Sequence, residues 1–147
     1  GKEKRPRKAP RRKAHMHAMD RRFAIIGAVG GLLAMLLGSF GAHGLEEVLS
    51  EEHRQEGMKT FEVAVRYQMY HALALFGAAW FTHRFNGRLP EVAGWSFVAG
   101  TILFSGSLYV LTFQKVGWVG ILAPVGGIML MAGWGMLAAA AVRGRGS

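Results

Sequence analysis

The 147-residue chain has no cysteine, which excludes a disulfide framework and a thiolate metal site. Carboxylates are few, nine in all, and beyond Glu62 only Glu91 remains. Charge of either sign is absent from four long stretches: 23 residues from Phe23 to Leu45, 17 from Tyr67 to His83, 23 from Val92 to Gln114 and 27 from Val116 to Val142. A polar helix face is also missing. In Phe23 to Leu37 and Ile121 to Val142 apolar residues cover the whole circumference, whereas a water-soluble four-helix bundle turns a polar stripe outward every 3.6 residues. The usual catalytic signatures are absent too. No HExxH pattern occurs, no GxGxxG follows a strand, and Ser105 and Ser107 have no neighbouring acid to complete a triad.

What remains is apolar and helical. Hydrophobic residues make up 51% of the chain, and at about 1.5 Å per residue the first 23-residue run reaches roughly 34 Å, enough for a ~30 Å hydrocarbon core. The expected fold is an all-α, four-helix transmembrane bundle with spans near 23–45, 63–84, 92–114 and 117–142. The second run is short and needs Arg66 to snorkel or find a partner. A short amphipathic helix is expected in the first external loop, where Leu45, Val48 and Leu49 recur among Glu46, Glu47, Glu51 and Glu52, with a break at Gly57. Phe85 to Pro90 reads as a tight polar turn, with Asn86-Gly87 favouring left-handed backbone and Pro90 opening the next helix.

The formal charge of +9 belongs to one end, since residues 1–22 hold ten of the 18 Lys and Arg. Lys and Arg in the flanks put the N-terminus, the Arg84 to Arg88 turn and the C-terminus on the cytoplasmic side of a bacterial inner membrane. Residues 1–22 read as a disordered basic tail whose Lys4, Arg5, Arg7, Lys8, Arg11, Arg12 and Lys13 attract anionic lipid head groups, and residues 144–147 as a second tail. Nucleic acid is not expected as a partner, because no aromatics interleave the charges. Basic residues followed by an apolar run and Ser39-Phe40-Gly41 also resemble a signal peptide, but a retained first span is the expectation. Met19-Asp20-Arg21-Arg22 would equally serve as an inner flank beginning at Met19.

Depth can be read along each span once the orientation is set. His43 ends the first, Glu62, Arg66, Tyr67, Gln68 and His71 open the second, and Ser105, Ser107 and Tyr109 lie in the second half of the third. Together they form a candidate polar cluster in the outer half of the bilayer, its members satisfying one another across helices. Gly27 and Gly31 form a GxxxG step, continued by Gly38 on a small-residue ridge that should place the first span centrally. Pro124, with Gly126 and Gly127, predicts a kink in the fourth span.

Four stretches in order, Gly38 to His43 (GSFGAH), Tyr67-Gln68-x-x-His71-x-Leu73-Ala74-Leu75, Gly100-Thr101-x-x-Phe104-Ser105-Gly106-Ser107-Leu108-Tyr109, and Pro124-x-Gly126-Gly127 with Gly133-Trp134, resemble the YgdD/YwdK family of small four-span bacterial inner-membrane proteins. The resemblance covers roughly residues 24–143. Ser39 stands where alanine is usual, and Ala123 where threonine precedes the proline. The resemblance implies the topology and supplies no activity. The expected function is therefore a non-catalytic accessory, assembly or oligomeric membrane component with a polar latch and no cofactor. The alternative is a small transporter or channel for protons or an anion, although no carboxylate lies deep in any span to couple protons. A third reading, a metal-dependent enzyme using His43, His71 and Glu62, rests on no spacing motif, and no metal is expected.

Overall fold

The computed structural model describes residues 11–144, apart from the side chain of Arg12. Five α-helices follow in order: α1 (Arg11–His43), the single turn α2 (Leu45–Val48), α3 (Arg54–Arg84), α4 (Leu89–Phe113) and α5 (Leu122–Arg143). Short 3₁₀ turns at Glu51–His53 and Gly117–Ile121 lead into α3 and α5. The described residues include no strand, so the fold is all-α. Three segments are long and apolar enough to cross a membrane: Lys13–His43, Leu89–Phe113 and Gly117–Arg143. α3 has the length, at 31 residues, but Arg54, Glu56, Lys59, Glu62 and Arg66 dilute its first half.

Two helix starts differ from the sequence reading. Arg11–Arg22 is helical and continuous with α1, so these residues are not a disordered tail. Lys, Arg, Ala and Met are good helix formers, and an existing helix propagates into them without a new nucleation step. Buried Met19 and Phe23 then fix the extension against the core. Of the basic residues assigned to lipid, Arg11 and Lys13 are exposed on this helix, whereas Lys4, Arg5, Arg7, Lys8 and the side chain of Arg12 lie outside the described residues. α3 begins at Arg54, nine residues before the expected start, and Gly57 lies within it rather than breaking it. A Cβ on Gly57 would stand 2.8 Å from Leu49 Cδ1, so this glycine makes room for the loop to fold down. Leu45 and Leu49 are buried there against Phe61, whereas Val48 faces out.

The long helices pack as a chain of neighbours. α1 lies on α3, α3 on α4 and α4 on α5, while α1 and α5 do not touch among the described residues. The first helix is thus at the edge, not the centre, which corrects the expectation drawn from its small residues. Those residues serve one neighbour only. A Cβ on Gly27 would meet the Ala72 carbonyl oxygen at 2.7 Å, Gly31 faces Met69 and Gly38 faces Val65, all on α3. The remaining circumference of α1, including Ile25, Val29, Leu32 and Leu36, is exposed.

α4 and α5 meet more closely still. A Cβ on Gly126 would lie 2.5 Å from the Phe104 amide nitrogen and 2.8 Å from the Gly100 carbonyl oxygen, so backbone touches backbone at this crossing. The proline expected to kink the fourth span stands near its start instead. Pro124 sits in the first turn of α5, where its missing N–H had no helical partner to lose, and Ile121 and Leu122 keep αR backbone where the 3₁₀ turn passes into α5. Gly127 only approaches the Phe104 ring. At the opposite end Gly87 adopts φ +110° in the α3–α4 turn, and Pro90 occupies the first turn of α4.

Cross-helix contacts mark the two ends of the molecule. His15 meets Glu91 at 3.1 Å and His83 meets Asp20 at 3.4 Å where α1 begins and α3 ends. Lys115 pairs with Glu56 and Arg54 with Glu46 at the other end.

Candidate functional site

Near the middle of α3, Gln68 and His71 are buried and one turn apart, facing α1, α4 and α5. Gln68 uses both ends of its amide. Its Nε2 donates to the Gly30 carbonyl of α1 at 2.9 Å, and its Oε1 accepts from the Tyr109 hydroxyl of α4 at 2.7 Å. One side chain thereby ties three helices. Interhelical hydrogen bonds of this kind average about 0.6 kcal/mol, so the tie sets register more than it adds stability.

His71 is held equally completely. Its Nδ1 lies 2.7 Å from the Tyr67 carbonyl oxygen, which can only accept, so the ring proton is on Nδ1. Its Nε2 lies 3.2 Å from Trp134 Nε1, which can only donate, so Nε2 supplies the lone pair. The partners thus fix a neutral imidazole of one tautomer, with no nitrogen left for a metal or a substrate. Phe97, wholly buried, fills the space beside it, its ring 5.5 Å from His71 and 5.2 Å from Trp134. Gly133 makes this possible, because a Cβ there would strike the Phe97 ring at 2.6 Å.

Each serine hydroxyl is bonded to a backbone carbonyl. Ser105 donates from α4 to the Ala64 carbonyl of α3 at 2.8 Å, and Ser107 donates to Phe104 within its own helix. Neither hydroxyl meets His71. Tyr67 is partly exposed and packs against Phe104. Glu62 and Arg66 form an exposed i, i+4 ion pair nearer the N-terminal end of α3, and His43 is exposed at the end of α1. The expected cluster is thus only partly assembled: Gln68, His71, Tyr109 and Ser105 bridge helices at mid-length, whereas His43, Glu62, Arg66 and Ser107 stand apart from them. His43, His71 and Glu62 do not converge on a common point among the described residues. Trp134 is the member that sequence reasoning misses. An indole in an apolar run reads as lipid-facing, and half of Trp134 is indeed exposed while its N–H points inward.

Between α1 and α4 a lateral cleft of about 320 Å³ opens over this group, lined by Ile26, Gly30, Gln68, His71, Thr101 and Tyr109 among others. Thr101 Oγ1 is buried without a hydrogen-bond partner beside it. A separate hollow of about 760 Å³ lies at the loop end, around Leu49, His53, Glu56, Gly57 and Lys115.

Residues 37–127, more than half of the chain, match the family model described as "Protein of unknown function (DUF423)". The UPF0382 membrane protein YwdK of Bacillus subtilis is 41% identical over 122 residues, covering 82% of this chain and 96% of that protein. A UPF0382 membrane protein of Staphylococcus haemolyticus is also 41% identical, over 117 residues, covering 78% and 90%. The UPF0382 inner membrane protein YgdD of Escherichia coli K12 is 36% identical over 129 residues, covering 85% and 93%. No solved structure matches the chain. With relatives this similar over most of their length and an interior joined by the motif residues Gln68, His71, Tyr109 and Trp134, the chain belongs to the DUF423 family of membrane proteins.

Proposed function

We propose that this chain is a four-span, non-catalytic component of the bacterial inner membrane, acting as an accessory or assembly partner, or as a homo-oligomer, with both termini cytoplasmic. One observation carries the reading: the polar side chains at the centre are spent on holding helices together. Both His71 nitrogens, both ends of the Gln68 amide and the hydroxyls of Ser105 and Tyr109 are engaged with other protein atoms. A catalytic or proton-carrying histidine needs a free lone pair or N–H at its working position, and both nitrogens of His71 are occupied.

The position of α3 supports the fourth crossing. It packs between α1 and α4, both long and apolar enough to span, so its polar side chains face protein where they are deepest. Basic residues at 11–22, Arg84, Arg88 and Arg143 gather at one end of the helices, which supports that end as cytoplasmic. The exposed basic face of the α1 extension would rest on anionic lipid, each residue contributing on the order of 1 kcal/mol. Extraction in a mild detergent followed by native mass spectrometry tests the assembly role. A recovered partner or a defined oligomer is the expected result; a monodisperse monomer at every detergent concentration would refute it.

A further inference from the structure

Where α1 begins and α3 stops, His17, Asp20 and His83 converge, and the latch uses none of them. His17 and Asp20 are three residues apart on α1 and share a face, while His83 stands in the last turn of α3. One ligating atom from each lies within 4.8 Å of those of the other two. His83 Nδ1 is 3.4 Å from Asp20 Oδ2, and the His17 and His83 rings are 5.8 Å apart between centres. Asp20 Oδ1 is buried with no hydrogen-bond partner.

We propose that these three side chains bind a divalent transition-metal ion and so fasten the N-terminal turns of α1 to the end of α3. Zinc held at about 2.0–2.2 Å by tetrahedral nitrogen and oxygen ligands separates neighbouring ligand atoms by roughly 3.3 Å. The 3.4 Å between His83 and Asp20 is already one such edge. The remaining edges close by rotation of the exposed histidines, with water in the fourth position. Two imidazoles with one carboxylate favour zinc, nickel or cobalt over magnesium and calcium, which prefer oxygen. A bare histidine–aspartate pair, exposed on the histidine side, contributes little. A metal ion held by Asp20 and both imidazoles is a stronger tie, and a carboxylate chelating through both oxygens would also give Oδ1 a partner.

The test uses the untagged full-length chain in detergent, titrated with zinc chloride by calorimetry and checked for retained zinc after gel filtration. One zinc per chain is expected, unaffected by excess magnesium. Because loss of even an outer-shell partner lowers metal affinity about 10- to 100-fold, Asp20→Asn and His83→Asn should each weaken binding at least tenfold, with His53→Asn as an unchanged control. His83→Cys adds a readout independent of affinity, since it introduces the only thiol of the chain. Its cobalt form should show a thiolate-to-cobalt charge-transfer band. No zinc retained by the folded protein, unchanged affinity in His83→Asn, or a cobalt-loaded His83→Cys chain without that band would each overturn the site.

Discussion

At the scale of single residues, the glycines separate by what stands opposite them. Gly126 faces the backbone of Phe104 and Gly100, which cannot move aside as a side chain can, so Gly126→Ala must push α5 away from α4. A loss of about 1–3 kcal/mol follows, read as a lower midpoint in a thermal or denaturant melt in detergent. A Cβ on Gly106 or Gly135 would have nothing within 4 Å of it, and alanine there should leave the stability within about 1 kcal/mol of the parent. Tyr109→Phe removes the donor to Gln68 Oε1 and Trp134→Phe the donor to His71 Nε2. Each should cost on the order of 0.6–1.5 kcal/mol in the same melt. A change of several kcal/mol would mean that the latch is more than a set of ordinary hydrogen bonds.

For the elements, the edge position of α1 makes its anchor residues decisive. Phe23 is wholly buried, and its ring occupies the space where Gly94 lacks a side chain: a Cβ on Gly94 would lie 2.4 Å from Phe23 Cζ. Phe23→Ala should cost about 3–5 kcal/mol and free the first turns of α1, visible as faster proteolysis near Arg21 and Arg22. The starts of α1 and α3 are hidden in the sequence for a physical reason. Charged and small residues at 11–22 and 54–62 suit a helix in water as well as a loop, and an apolar run marks only the part that lipid must cover. Gly57 misleads for the related reason that a buried glycine and a hinge glycine have one composition and different neighbours.

Over the whole molecule, position along the helix axis is legible in the sequence and position around it is not. Uncharged runs tell where a segment can lie in lipid, so Gln68, Tyr109 and Ser105 are recognisable as groups able to meet. Ser107 shares their depth and differs in azimuth, whereas His43, at the end of α1, lies about 20 Å further along the axis than Gly30, the α1 partner of Gln68. Trp134 stands within a motif yet shows no partner there, because nothing in the sequence gives the rotation of α5 about its axis. The topology has a direct check, since the native chain offers no thiol to labelling reagents. Single cysteines replacing Glu51 and Arg88 should differ: the first labelled in intact cells by a membrane-impermeant maleimide, the second only after the membrane is opened. The reverse pattern would turn the protein over.

Because each long helix rests mainly on the one before it in the chain, the molecule can be built in the order of its synthesis. Every newly made helix finds its seat already present, and no earlier pair has to part to admit a later one. The indole of Trp134 reaches His71 only when the last helix docks, so that bond is the last of the central group to close.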